Sequence, residues 1–166
     1  MKQIVPKKRH ILRKDDAMMV YEQLRGEIGD SSQLFYTPQP EILETNGDIV
    51  LYLVNRKPYL MAFDGFIFPT LKGALERPFP ERRVVVDMGA VPFVIKGADI
   101  MRPGVISCTP DVRAGQPVQI VDERHGKALG IGIALVDSPA LMGAEGGKVV
   151  KNRFHIGDEL WNLDLG

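Results

Sequence analysis

Val84-Val85-Val86-Asp87-Met88-Gly89-Ala90, then Val91 to Ile95, then Lys96-Gly97-Ala98-Asp99-Ile100-Met101-Arg102-Pro103-Gly104 is the densest run of structural signals in the chain. Three consecutive valines read as a buried strand. Pro92 suits a first helical turn and Gly97 suits a helix end, which predicts a helix of one to two turns between them. Glycines beside so short a helix let the backbone approach a ligand closely and expose its N–H groups. Lys96 and Arg102 flank the same loop, where each is placed to meet a phosphate. A tight helix-to-strand connection with solvated charges explains the same spacing, and spacing alone favours it.

Downstream, short strands recur with turns between them: Val105 to Cys108, Pro117 to Val121, Ala128 to Val136, Val149 to Phe154 and Glu159 to Leu163. Ser138-Pro139 starts another short helix and Gly146-Gly147 ends it. Many short strands with turn signals indicate a small barrel rather than a doubly wound sheet. Upstream, Arg77-Pro78-Phe79-Pro80 is stiff and poor in regular structure, and the domain boundary is set there. Residues 1–80 are then a small N-terminal α+β domain and residues 81–166 a mixed β-barrel with short helices, an α+β chain as a whole. In the first domain Asp15 or Asp16 caps a helix with the apolar face Ala17, Tyr21, Leu24 and Ile28, and Gly29 stops it. Gly29 to Pro40 reads as a loop. Asn46-Gly47, between Ile42 to Thr45 and Asp48 to Val54, predicts a tight type I′ hairpin. A strand from Tyr59 to Phe63, a turn at Asp64-Gly65 and a Thr70-capped helix from Leu71 to Arg77 follow, ended by Pro78.

The 166 residues are 45% hydrophobic, too apolar for a disordered chain. Cys108 is the single cysteine, which excludes an intramolecular disulfide framework and a cysteine-rich zinc site and points to a reducing compartment. The N-terminus lacks the apolar run of a signal peptide, and no stretch reaches the roughly twenty apolar residues of a membrane span. A cytoplasmic protein without a membrane partner is expected. The 21 basic and 21 acidic side chains balance, whereas a generic nucleic-acid coat is strongly basic. Were such a chain to bind nucleic acid, it would do so at a local patch. The basic charge is uneven, since Lys2, Lys7, Lys8, Arg9, Arg13 and Lys14 all precede the first acidic residue, Asp15. Two readings of this tail stay open, a frayed solvated terminus and a contact with RNA or the ribosome.

Catalytic signals are sparse. Gly130-Ile131-Gly132 lies inside an apolar strand and lacks the third glycine of a dinucleotide fingerprint, since position 135 is Leu135, so the glycines are read as letting a barrel strand bend. His10, His125 and His155 have no metal-ligand spacing and read as surface residues. Asp122-Glu123 reads as a solvated acidic tip, and Cys108 as a buried structural thiol. No catalytic residue, metal or cofactor is expected.

The run from Val84 to Gly104 resembles the RNA-binding barrel shared by pseudouridine synthases and archaeosine transglycosylases, the PUA domain. That family shows a strand, a Gly-Ala pair, a short helix, then Gly-Ala-Asp/Asn-hydrophobic-Met-x-Pro-Gly, and every element stands here. Asn152 to His155, Gly157-Asp158 and Leu160-Trp161 resemble its closing strands, where an aromatic residue seals the barrel. Thr45-Asn46-Gly47-Asp48, Phe68-Pro69-Thr70-Leu71 and Pro78-Phe79 are similar to the N-terminal domain of the malignant T-cell amplified sequence family and its archaeal relatives. The resemblance runs from the hairpin to the last strand.

The resemblance implies a non-catalytic RNA-binding factor acting near the ribosome. Eukaryotic relatives cooperate with density-regulated protein in non-standard initiation and ribosome recycling, where the barrel meets the acceptor end of tRNA. Implied partners are tRNA or ribosomal RNA, the small ribosomal subunit and a density-regulated-protein-like protein. Lys96, Gly97, Ala98, Met101, Arg102 and Gly104 match the motif's surface and are the first candidate contacts. Arg82, Arg83 and Arg153 are further basic candidates near the barrel's first and later strands. Two other readings compete: an accessory targeting subunit of an RNA-modifying enzyme, and a protein–protein adaptor that has lost RNA binding.

Overall fold

The computed structural model describes residues 3–165, so Lys2 of the basic tail lies outside the described residues. The chain divides into two compact units, one running to Phe79 and taking in the chain from Asn162 onward, the other Pro80–Trp161.

The first unit is a five-stranded antiparallel sheet in the order β1 (Pro6–Ile11), β2 (Glu41–Thr45), β3 (Val50–Val54), β4 (Lys57–Phe63) and β5 (Phe66–Pro69). Helix α1 (Lys14–Ile28) packs against β5. It buries Ala17, Val20, Leu24 and Ile28, while Tyr21 is half-buried. The Tyr21 hydroxyl donates to Phe35 O at 2.8 Å and accepts from Thr37 N at 3.1 Å. Asp15 and Asp16 occupy the first turn rather than the cap, where they still favour the positive end of the helix dipole. The Gly29 to Pro40 segment is partly ordered, since a 3-10 helix spans Gly29–Phe35. Helix α2 (Leu71–Glu76) is capped by the Thr70 hydroxyl, which accepts from Gly73 N at 3.1 Å. Phe79 fills the core edge-on to Phe35 and Phe68, with ring centroids 6.2 and 5.8 Å away.

Two expectations for this unit need correction. The basic tail is a strand: Pro6–Ile11 pairs antiparallel with β2 although every one of its residues is exposed. Asn46-Gly47 is not a tight type I′ turn, because Glu44 pairs with Val50 and leaves a longer loop. There Thr45 Oγ1 donates to Ile49 O at 2.6 Å, and Asn46 Oδ1 accepts from Val5 N at 2.8 Å. The two-residue turns lie at Asn55-Arg56 (φ 51° and 71°) and at Asp64-Gly65 (φ 50° and 83°), both residues of each left-handed as type I′ requires.

The second unit is a nearly closed, mixed six-stranded barrel-like sheet. Its strands are β6 (Arg83–Val86), β7 (Ile100–Met101), β8 (Val105–Cys108), β9 (Pro117–Asp122), β10 (Ala128–Ala134) and β11 (Lys148–His155), in the order β7-β11-β10-β9-β6-β8. The β6–β9 pair is parallel and the others are antiparallel. Helices α3 (Val91–Val94) and α4 (Ser138–Gly143) and a 3-10 turn at Arg102–Gly104 complete it. Val84, Val86, Ile120 and Leu141 are fully enclosed in the core. Burying each such side chain is worth about 1.5–3 kcal/mol.

Glu159 to Leu163 forms turns rather than a last strand. Asp158 causes this: its Oδ2 accepts from His155 N at 3.0 Å and its Oδ1 from Trp161 N at 2.8 Å, which folds the backbone over the carboxylate. Asp122 is not a solvated tip. It is 5% exposed and organises the β9–β10 turn, accepting from Lys127 N at 3.2 Å and from His125 N. Burial pushes this carboxyl up, but the N–H groups of His125, Lys127 and Arg124 outweigh it and hold the pKa below the usual range. Asp122→Ala is expected to destabilise the barrel by about 1–3 kcal/mol, because the turn amides lose their acceptor. A depressed folded pKa contributes stability above the unfolded value of about 3.9 and loses it as pH falls through the folded value. Urea midpoints from pH 2 to 7 check this: the variant's deficit is expected to shrink at the acid end. Cys108 is half-buried, with Sγ 3.9 Å from Ser138 O, and burial pushes its pKa up.

Candidate functional site

A one-turn helix cannot satisfy its own carbonyls, and α3 hands several of them to other elements. Gly97 adopts φ 95°, and the Schellman pair follows: Gly97 N donates to Val94 O at 2.9 Å and Ala98 N to Phe93 O at 3.0 Å. Strand β11 takes the rest. Asn152 Nδ2 donates to Val94 O and to Ala98 O, both at 3.1 Å, and His155 Nδ1 lies 3.0 Å from Ile95 O. The helix is thereby fixed from two sides.

Asn152 reaches this position through a bulge. Ile131 pairs with Phe154 but Gly132 pairs with Asn152, leaving Arg153 as the extra residue. The glycines of β10 allow that approach. A Cβ on Gly132 would run into Lys151 O and lie 2.9 Å from Val150 Cγ1, and one on Gly130 would lie 2.8 Å from Phe154 O. These glycines were expected to let a barrel strand bend; what the geometry shows is room for the neighbouring strand.

Between α3 and the 3-10 turn lies an open groove of about 570 Å³. Ala90, Val94, Ile100 and Gly104 line it, with Phe93, Met101 and Pro103 among its exposed residues. Gly104 permits the close approach, since a Cβ there would meet Ala90 Cβ at 3.2 Å. Phe93 is 66% exposed, the highest of the barrel's large apolar side chains, and Met101 is 49% exposed. The groove's two acids are already engaged. Asp87 Oδ1 accepts from Ala90 N at 2.8 Å. Asp99 pairs with Lys148 at 2.8 Å and accepts from Asn152 N at 2.9 Å; the Lys148 hydrogen bond above all holds its pKa below the ordinary range. The result is a largely apolar slot with no Lys or Arg side chain in its lining.

The expected contacts divide accordingly. Ala98, Met101 and Gly104 line the groove, and Lys96 and Gly97 close the α3 turn beside it. Arg102 holds the turn in place: Nη1 donates to Val105 O at 3.0 Å and Nη2 to Met142 O at 3.1 Å. Arg82 is 8% exposed, with Nη1 donating to Pro117 O at 3.1 Å and Nε 3.9 Å from Asp111, which removes it as a surface contact. Arg83 is half-buried, its Nη1 3.5 Å from Gly126 O, and Arg153 lies over the Phe154 ring at 5.7 Å. Phe93, Asn152 and His155 were not singled out as contacts in the sequence. The Phe93 signal was present, an aromatic in a helix too short to bury all its sides. For Arg102→Ala, loss of two guanidinium hydrogen bonds is expected to lower stability by about 1–3 kcal/mol. Its RNA salt dependence is expected to stay unchanged, checked by denaturation and by titration at several salt concentrations.

Among the described residues no group of three or more His, Cys, Asp or Glu side chains is placed to hold a metal ion. No helix among them is long and apolar enough to cross a membrane.

The PUA domain family model matches residues 82–156, and a model described as a domain of unknown function (DUF1947) matches residues 8–77. An uncharacterised protein of Methanocaldococcus jannaschii is 32% identical over 165 residues, 95% of this chain and 97% of that protein. Translation machinery-associated protein 20 of Saccharomyces cerevisiae is 34% identical over 136 residues, 76% of this chain and 74% of that protein. The crystal structure of a hypothetical protein from Pyrococcus horikoshii superposes with a TM-score of 0.85 at 32% identity, covering 93% of this chain and 98% of that one. The chain is thus a PUA domain protein. It belongs to the family that joins an N-terminal DUF1947 domain to a PUA barrel, homologous to translation machinery-associated protein 20 and the malignant T-cell-amplified sequence proteins.

Proposed function

We propose that this protein is a cytoplasmic, non-catalytic RNA-binding factor of translation, acting in initiation or ribosome recycling, whose barrel takes the single-stranded acceptor end of tRNA. The observation that carries this reading is the apolar groove walled by Phe93 and Met101. Unpaired bases at RNA ends are recognised by stacking on exposed aromatic side chains, whereas a helical RNA keeps its bases stacked inside. Ala98 and Gly104 give the base a close approach, and Lys96 is exposed beside the slot for the adjoining phosphate. The family's translation-associated members support the setting. The partners expected are tRNA or ribosomal RNA, the small ribosomal subunit and a density-regulated-protein-like protein.

Sedimentation with purified ribosomal subunits tests the setting. Co-migration with the small subunit that increases on adding deacylated tRNA is the expected result. Absence from both subunits, with recovery in an RNA-free complex, contradicts it and favours an adaptor. Recovery with an RNA-modifying enzyme favours a targeting subunit.

A further inference from the structure

We propose that the outer edge of the N-terminal sheet is a second RNA-binding surface, one that holds the phosphates of a helical RNA without reading its bases. This inference rests on the RNA-binding reading above, and the two can fail separately. The groove beside Phe93 is apolar, and its only charged lining residues are the acids Asp87 and Asp99, so it supplies little attraction for a polyanion. Of the 21 basic residues six precede Asp15, which leaves 15 basic against 21 acidic side chains in the remaining chain. The segment that forms β1 and enters α1 therefore carries a positive excess that the remaining chain, taken together, lacks.

That segment is built in an unusual way. Strand β1 exposes all of Pro6–Ile11 and buries nothing, so side-chain packing does not hold it. Its ladder with β2 does, with Leu12 N donating to Pro40 O at 2.9 Å, Val5 N donating to Asn46 Oδ1 at 2.8 Å, and Arg9 paired with Glu41. Lys7, Lys8, Arg13 and Lys14 form no ion pair among the described residues, although Glu44 lies in the irregular part of the ladder facing Lys7 and Lys8. Protection of an edge against strand addition takes a single lysine or a bulge, and this strand already has the bulge. Lys7-Lys8-Arg9-His10 followed by Arg13-Lys14 goes well beyond that need. A strand held by its ladder and carrying neighbouring cations on an exposed edge is suited to displacing counterions from successive phosphates.

The test is a variant carrying Lys7→Gln, Lys8→Gln, Arg13→Gln and Lys14→Gln, which leaves the Arg9–Glu41 pair intact. The probe is a blunt double-helical RNA hairpin with no single-stranded end, titrated at several salt concentrations. The slope of log K against log salt is expected to become shallower by about 3, four contacts at about 0.7–0.9 each, with at least a tenfold loss of affinity at low salt. A charge-matched control, Lys57→Gln, Arg113→Gln, Arg124→Gln and Lys127→Gln, is expected to keep the wild-type slope. If the fourfold variant unfolds, Lys7→Gln with Lys8→Gln is expected to lose about half as much slope. Unchanged slopes, or an equal loss in the control, overturn the inference while leaving the groove reading intact. Wild-type binding to the hairpin without any preference for a free 3′ end overturns the groove reading and leaves this one standing. A wild-type protein that binds neither RNA overturns both.

Discussion

Phe93→Ala is expected to weaken binding of an RNA with a free 3′ end by about tenfold to a hundredfold, because stacking one base on an aromatic side chain is worth about 1–3 kcal/mol. The same change leaves the fold alone. Phe93 is 66% exposed, so its removal opens no cavity, and stability is expected to stay within about 0.5 kcal/mol of wild type. Phe93→Tyr keeps the flat face and is expected to retain most of the affinity. Binding measured for all three proteins, beside their denaturation midpoints, separates stacking from packing. Equal affinity for wild type and Phe93→Ala removes the aromatic wall from the site.

The second large effect is on stability. Gly132→Ala places a methyl group against Lys151 O and Val150 Cγ1. One of these atoms is backbone in the paired strand, so neither rotamer change nor local relaxation clears it, and a loss of about 3 kcal/mol is expected. The displaced strand is the one that carries Asn152 to Val94 O and Ala98 O, so the α3 turn is expected to loosen with it. Gly143→Ala is the control, since a Cβ there meets nothing within 4 Å. Denaturant titration is expected to separate the two variants clearly, and equal midpoints contradict the crowding argument.

These expectations rest on features the sequence exposed unevenly. Local punctuation was legible. Thr70 caps α2 and Gly97 ends α3 in the left-handed region, because each is dictated by backbone chemistry within a few residues. Strand β1 was not legible, because a strand that buries no side chain has no apolar alternation to reveal it. Asn46-Gly47 misled for a related reason: Asn46 uses its side chain to hold Val5, a partner far away in sequence. Asp122 looked solvated because an acid at a turn usually is, and only the fold reveals the amides that converge on it. For the site, the motif located the groove, but Lys96, Arg82, Arg83, Arg102 and Arg153 were weighted by charge. The structure engages the Arg102 guanidinium with backbone carbonyls and buries Arg82, leaving Phe93 and Met101 as the most exposed large side chains of the groove. A helix of one turn gives too few positions for periodicity to tell which side faces water.

The most direct test of the account is a fluorescence-anisotropy titration of deacylated tRNA into the intact protein, with and without the single-stranded 3′ end, at several salt concentrations. Binding that falls at least tenfold when the 3′ end is removed, with a residual salt-sensitive component, is the predicted result. Affinity indifferent to the 3′ end at every salt concentration contradicts the assignment of the Phe93 groove to an RNA end.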